Sequence, residues 1–226
     1  MPSIYEQALG SDFTKLHPKI QERFSLHSTR QEASIGRGVM SRIWMNRCCA
    51  FPFLHLGSRR NLMFPQTGRN VPFEVENYTY QDTYGREVVT WNRTFRFPNR
   101  IRRFDATMIY SEKRGTIVDY LGNHQHLAVD IEVSAANNGG IRIRSGEQRF
   151  YENWLQFRFP LMLSGTADVC EWYDDVRQQY YISVDVRNRL LGQIFGYEGT
   201  FQAQRLTVSP SQIPICAQPL REEIRE

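Results

Sequence analysis

The sequence has no long apolar run. No window of its 226 residues approaches the roughly 18 consecutive apolar residues that a membrane-spanning helix needs. The chain does not open on the basic-then-apolar pattern of a secretory signal, so the two N-x-T sequons at Asn77 and Asn92 are not expected to carry sugar. These absences predict a cytoplasmic protein with no transmembrane segment.

Cysteine is scarce, and its spacing excludes two kinds of site. The four cysteines are Cys48, Cys49, Cys170 and Cys216. They form neither the C-x-x-C pairs of a zinc site nor the density of a disulfide framework. Reduced thiols are therefore expected, and Cys170 is interpreted as a packed strand residue rather than a nucleophile, because no histidine is tied to it by spacing.

Motifs for covalent, metal and cofactor chemistry are also missing. There is no G-x-S-x-G elbow and no glycine-rich phosphate loop, since Gly36-Arg37-Gly38 lacks a third glycine and is interpreted as a turn. His124 and His126 are two residues apart and could bind a metal with Asp130 or Glu132, but the sequence favours a surface pair. We therefore predict no cofactor and no metal.

Lysine is rare while arginine is abundant: 3 lysines accompany 25 arginines, and the net charge is only +4. So small a surplus lacks the dense basic patch expected of a duplex-DNA binder, and no nucleic-acid partner is predicted. The bias toward arginine has two possible origins. It fits either a genome-wide composition bias or a need for the planar guanidinium group, which binds carboxylates and stacks on aromatic rings.

Helical signals are confined to the start of the chain. Residues 1–33 are interpreted as a helical segment packed on a larger body, with Gly10 as a C-cap and with Leu16, Ile20 and Phe24 on one face. The apolar block from Trp44 to Leu56 is interpreted as a buried helix.

The rest of the chain has the pattern of successive hairpins. Alternating apolar and polar residues are interrupted by turn signals at 83–85, 113–115, 137–140 and near 174–175. A closing strand is predicted from residue 192 to 208, and the sequence GYEG at 196–199 inside it is interpreted as a bulge or a close approach. Aromatic residues make up 13% of the chain, which also favours strands.

Consecutive hairpins indicate a mainly β (α+β) fold. We predict an antiparallel meander of about eight to ten strands that curls into a barrel or half-barrel, with the N-terminal helices packed against it. Residues 34–208 would form a single β-rich domain, and residues 209–226 an irregular tail. A barrel of this size either fills itself with side chains or holds one small ligand.

The stretch WNRTFRF, residues 91–97, supplies the main site candidates. Alternation puts Trp91, Arg93 and Phe95 on one face. An arginine on an apolar face either pairs with a buried carboxylate or lines a ligand cavity, because an unpaired buried charge is costly. Glu171 shares the apolar phase of its own strand, so it is a candidate either to pair with Arg93 or to orient a ligand.

The order of several fragments resembles a bacterial family of unknown function. The fragments are GRG near residue 37, W-x-R-x-F at 91–95, DYLG at 119–122, GGIRIRSG at 139–146, LSGTADVCEWYD at 163–174 and LLGQIFGYEGTF at 190–201. In that family the domain occurs alone or C-terminal to a saccharopine-dehydrogenase-like domain. The resemblance implies a dehydrogenase-like protein as a candidate partner, but no oxidoreductase activity, because this chain has no dinucleotide fingerprint.

These observations favour a small-molecule binding module over an enzyme. A calycin-like barrel would hold an amphipathic or lipid-like ligand, with Arg93 as anchor, Glu171 as its partner, and Trp91, Phe95 and Tyr151 as walls. Two alternatives stay open: a cofactor-independent enzyme that uses a carboxylate in the cavity, and a structural or interaction domain that partners a dehydrogenase-like protein.

Overall fold

The chain begins with two short helices that close one end of a barrel. A computed structural model describes residues 2–46, 60–159 and 164–226. Helix α1 spans Ile4–Leu9 and starts at a Ser3–Glu6 capping box, and helix α2 spans Pro18–Phe24 with proline in its first turn. The predicted C-cap at Gly10 is confirmed, and a 3₁₀ helix, Gly10–Lys15, joins the two helices.

Eleven strands occur in the part of the chain that the structure describes. They are β1 Glu32–Met45, β2 Gly68–Gln81, β3 Glu87–Phe97, β4 Arg100–Ser111, β5 Thr116–Leu121, β6 Leu127–Ala135, β7 Ile141–Glu152, β8 Leu155–Arg158, β9 Thr166–Asp174, β10 Gln179–Asn188 and β11 Gly192–Thr207. The turns predicted at 83–85, 113–115, 137–140 and after 174 all join consecutive antiparallel strands, so the hairpin predictions are confirmed.

Ten of these strands form a closed antiparallel barrel. Their order is β6-β5-β4-β3-β2-β1-β11-β10-β9-β7, and β7 pairs back onto β6. Strand β8 pairs with the last four residues of β7. The predicted mainly β fold and its curling into a barrel are confirmed, and closure removes the open sheet edges that would otherwise be free to pair with other chains.

Two predictions are wrong for the residues that form strand β1. Gly36 and Gly38 lie inside it and form no turn. A Cβ on Gly36 would lie 2.7 Å from the Phe201 ring, and one on Gly38 would lie 2.0 Å from the Thr200 carbonyl oxygen, so close contact with β11 requires glycine at both positions. Trp44 and Met45, predicted as the start of a helix, end the same strand. Residues 47–59, the remainder of that predicted helix, lie outside the described residues.

The glycines of β11 lie where β1 approaches most closely. A Cβ on Gly196 would meet the Trp44 ring at 2.4 Å, and one on Gly199 would meet the Met40 Cα at 2.5 Å. A β-bulge interrupts the β1–β11 register between Met40 and Arg42. Of the two alternatives predicted for GYEG, the close approach is present in β11, whereas the bulged residue lies opposite it on β1.

Gly38→Ala is expected to destabilise the barrel seam by about 1–3 kcal/mol or more. The added methyl group would lie 2.0 Å from the Thr200 carbonyl oxygen and 2.5 Å from the Phe201 Cα, so the β1–β11 backbones would have to separate. Thermal unfolding followed by circular dichroism measures the effect. Gly146→Ala is the control, because its nearest neighbour would be at 3.5 Å; equal loss in both variants would contradict the packing argument.

Two buried clusters lie on the two faces of the sheet. The larger lies inside the barrel and includes residues of α1 and α2. The smaller lies outside β2–β7, beneath residues 209–226, and includes Tyr78, Tyr120, Tyr151 and Ile213. No helix among the described residues is long and apolar enough to cross a membrane.

Candidate functional site

The barrel interior is layered along its axis, from the end closed by α1 and α2, which we call the helical end, to the opposite end. An aromatic layer lies toward the opposite end, where the Phe64 ring packs on those of Phe95 and Phe195 at centroid distances of 4.8 and 5.3 Å. Polar groups occupy the middle layer and the layer beneath the helices. The site candidates lie in these polar layers.

Arg93 lies in the middle layer, as its strand phase predicted. It is 5% exposed, its Nε donates to the Phe104 carbonyl at 3.1 Å, and its Nη1 donates to the Tyr197 hydroxyl at 3.5 Å. The guanidinium stacks on the Phe104 ring at 3.8 Å from the centroid. Aromatic stacking of this kind tolerates a buried arginine where a lysine would lose its hydration.

Asp119 faces the same interior from β5. Its neighbours in phase, Ile117 and Leu121, belong to the interior cluster, whereas Val118 and Tyr120 belong to the outer one. Burial raises the pKa of Asp119 to about 7, and the Arg93 guanidinium opposes that rise. The buried Asp119 Oδ1 has no hydrogen-bond partner in the part of the chain that the structure describes.

Helix α1 reaches this region through Tyr5. The Trp91 indole N–H donates to the Tyr5 hydroxyl at 2.7 Å, and that hydroxyl donates to the Met108 sulfur at 3.2 Å. Burial raises the pKa of Tyr5, and the charge of Asp119 adds to the rise. Trp91 therefore lies in the barrel interior, as its strand phase predicted, and its indole N–H is already bonded to helix α1.

Glu171 is buried as predicted, but its partner is Arg23 of α2, which replaces the predicted pair with Arg93. The Arg23 Nε donates to the Glu171 Oε1, and its Nη1 donates to the Ser34 hydroxyl at 3.0 Å. Both charged side chains are nearly inaccessible, at 2% and 0% exposure. Burial raises the pKa of Glu171, and Arg23 opposes the rise.

The Arg23 guanidinium is also surrounded by aromatic rings. Its central carbon lies 4.9 to 5.9 Å from the ring centroids of Phe24, Trp91, Tyr180 and Phe201. Arg23 Nη2 and Glu171 Oε2 lack hydrogen-bond partners among the described residues. The pair thus fixes α2 onto the barrel without satisfying every polar atom.

Two predicted wall residues lie far apart. Phe95 is fully buried in the interior, and its ring is 5.1 Å from those of Phe73 and Tyr197. Tyr151 lies in the outer cluster, where its hydroxyl donates to the Glu226 carbonyl at 3.0 Å and its ring contacts Arg225. The structure brings together Trp91, Arg93 and Phe95, but not Tyr151.

The histidine pair is not the surface pair that the sequence predicted. His126 is 7% exposed, stacks on the His124 ring at 5.4 Å, and lies within 3.0 Å of both Glu152 and Arg221. Burial lowers the pKa of His126. Among the residues that the structure describes, no cluster of histidine, cysteine and carboxylates could hold a metal.

A groove of about 960 Å³ lies outside the barrel on β7, β9 and β10. Its charges already pair: Arg142 Nε donates to Asp168 at 2.8 Å, and Arg187 Nε donates to Asp185 at 2.5 Å. This surface is open and its charged side chains are already paired with one another. The buried interior, where a carboxylate oxygen lacks a partner, is therefore the better candidate for a specific binding site.

Three interior residues were missed by sequence reasoning. The inward position of Asp119 could have been predicted from the sequence, since Asp119 lies on the same face of its strand as Ile117 and Leu121. Arg23 and Tyr5 had none, because their roles depend on how the helices close the barrel. Besides the Arg23–Glu171 pair, the interior offers the Arg93 guanidinium and the Asp119 carboxylic group, whose pKa is raised to about 7. Together these two groups can bind an acid headgroup or transfer a proton.

The fold and this interior define a closed, helix-capped antiparallel barrel with buried polar groups. Residues 16–201 match the family described as "Domain of unknown function (DUF4166)". A relative described as "Uncharacterized protein YndH", from Bacillus subtilis strain 168, is 35% identical over 204 residues, which cover 90% of this chain and 98% of the relative. The chain therefore belongs to the DUF4166 family.

Proposed function

We propose that this protein binds a small amphipathic acid inside its barrel, with the acid headgroup between Arg93 and Asp119. The observation that supports this most is the unpartnered Oδ1 of the buried Asp119. A buried carboxylate without a partner costs stability that an apolar residue in its place would not. A ligand that supplies the missing hydrogen bond would explain why the chain keeps a carboxylate there.

The charges favour an acid over a base or a neutral polar group. The guanidinium group of Arg93 can bind an anion, and its contacts with Phe104 hold it in place. With its pKa near 7, Asp119 is partly protonated at neutral pH and can donate a hydrogen bond to a bound carboxylate. Trp91, Phe104 and Met108 provide an apolar wall for the rest of the ligand.

In this proposal Glu171 acts indirectly. It orients Arg23, whose aromatic surroundings include Trp91, and so holds α2 over the site. Phe95 contributes to the aromatic layer below the headgroup, whereas Tyr151 is left out because it lies outside the barrel. A cytoplasmic location and a dehydrogenase-like partner stay predictions of the sequence.

Arg93→Met is expected to abolish retention of the ligand. Native mass spectrometry of the protein purified from its host, followed by denaturing extraction, measures the bound small molecule. Wild type is expected to carry an amphipathic acid at near-stoichiometric level, and Arg93→Met less than about one tenth of it, because a charge-assisted headgroup contact is worth about 1.5–3 kcal/mol.

Arg96→Met is the matched control, since Arg96 lies on the same strand with its side chain outside the barrel and 52% exposed. It should retain the ligand as wild type does. A wild-type protein that carries no small molecule, or equal retention by both variants, would contradict the proposal.

A second candidate function is favoured by the pKa of Asp119. A carboxylic group that titrates near 7 inside a closed site has the property of a general acid or base. In that case Asp119→Asn would accumulate an unreacted substrate while wild type retains a different, transformed molecule. Extraction of the same molecule from both proteins would assign binding rather than catalysis.

A further inference from the structure

One end of the barrel combines exposed apolar side chains with arginine. Strand direction puts the β3–β4, β7–β8 and β10–β11 turns at the end opposite the helices. We call residues 96–102, 153–158 and 187–191 the basic rim. These 18 residues contain six arginines and no aspartate or glutamate: Arg96, Arg100, Arg102, Arg158, Arg187 and Arg189.

Large apolar side chains protrude from the same three turns. Trp154 is 89% exposed at the tip of the β7–β8 hairpin, Leu190 is 65% exposed in the β10–β11 turn, and Ile101 is 57% exposed beside the β3–β4 turn. Leu155, Phe157 and Leu191 are each more than 40% exposed. Single exposed apolar residues need no explanation, but six at one end of a barrel indicate a contact surface.

The hairpin turns at the helical end, unlike the basic rim, carry charges of both signs. These four turns, residues 82–86, 112–115, 136–140 and 175–178, contain three acidic and four basic residues. All three lysines also lie toward that end, two of them on or beside the helices. The basic rim is therefore a local feature and does not follow from the net charge of the chain.

The arginines of the rim are not all neutralised. Arg96 and Arg158 reach carboxylates at 3.7 and 3.1 Å, and Arg187 pairs with Asp185. Arg102 donates to the neutral Gln66. Arg100 and Arg189 make no ion pair with any of the residues that the structure describes. Positive charge thus stays available around the end of the barrel.

We propose that the basic rim docks onto an anionic lipid surface. The three turns are spaced around the barrel circumference, so a flat surface can contact all of them at once, whereas a groove-bound partner would need them on one side. Tryptophan and leucine at the tips would enter the headgroup region, and arginines would contact the lipid phosphates. This inference goes beyond the proposed ligand site and does not depend on it.

Flotation with phosphatidylcholine vesicles, with and without phosphatidylglycerol, tests the docking. Wild type is expected to float only with vesicles that contain phosphatidylglycerol. The double variant Arg100→Glu/Arg189→Glu should lower the partition coefficient about tenfold or more, since each cationic residue near such a surface contributes roughly a factor of five. Trp154→Ser should weaken binding as well.

Matched controls are available at the other end. Lys113→Glu/Arg177→Glu changes the charge equally, and Val176→Ser removes a side chain that is 94% exposed. Both should float as wild type does. No flotation of wild type, or equal loss in both double variants, would overturn the proposal. So would binding of the rim to a homopolymeric RNA but not to vesicles, which would assign it to nucleic acid.

Discussion

Arg23→Met is expected to lower the free energy of unfolding by about 3–5 kcal/mol, because it leaves the Glu171 charge buried without its partner. Glu171 is inaccessible to solvent, and Arg23 is the cation that offsets the effect of burial on its pKa. The variant also removes the guanidinium from the four aromatic rings around it. Chemical denaturation followed by fluorescence measures the loss.

The double variant Arg23→Met/Glu171→Leu separates charge burial from packing. Replacing both partners by apolar groups of similar size should recover most of the loss, since no uncompensated charge stays buried. Lys19→Met on the same helix removes an exposed partner of Glu22 and should change stability by less than about 1 kcal/mol. A double variant as unstable as Arg23→Met would contradict an electrostatic origin.

Asp119→Asn is expected to stabilise the ligand-free protein, and by an amount that grows with pH. Burial raises the pKa of Asp119 from 3.8 in the unfolded chain to about 7 in the folded protein. Between these values the folded state binds more protons than the unfolded state, so the stability contributed by this group falls as pH rises. Below pH 3.8 both states are protonated, and the penalty is absent.

The full difference between variant and wild type is reached above pH 7, where it amounts to roughly 4 kcal/mol for a pKa raised from 3.8 to about 7. Denaturation of ligand-free protein at a series of pH values measures it. A difference between Asp119→Asn and wild type that is constant across pH would mean that the pKa of Asp119 is not raised in the folded protein, and it would contradict this prediction.

Local sequence patterns predicted the strands and their faces. Alternation correctly placed Trp91, Arg93 and Phe95 inside the barrel, and glycine-containing turns correctly marked the hairpins. These features depend on neighbours a few residues away, where periodicity carries the information. The family was also predictable, because the order of its fragments is preserved across most of the chain.

Contacts between distant residues were not predictable. Glu171 and Arg23 are 148 positions apart, and nothing in either neighbourhood indicates the other. Tyr151 was predicted to line the cavity but lies outside the barrel, because β7 holds an extra residue between Ser145, opposite Ile131, and Gln148, opposite Val129. A one-residue bulge exchanges the two faces of the strand beyond it, so Tyr151 points outward although Ile141 and Ile143 point inward.

Glycine illustrates the same limit. In residues 36–38 it indicated a turn, but in the structure it leaves room for the Phe201 ring beside Gly36 and for the β11 backbone beside Gly38. Glycine serves both purposes, and only the contacts made by the paired strand β11 decide between them.

The most direct test of the ligand site is a crystal structure of the protein purified from its host without refolding. We expect elongated non-protein electron density inside the barrel, with one end in contact with the Arg93 guanidinium and the Asp119 carboxyl group. Density for protein side chains and water alone, with Asp119 hydrogen-bonded to its own chain, would contradict the proposed binding of an amphipathic acid.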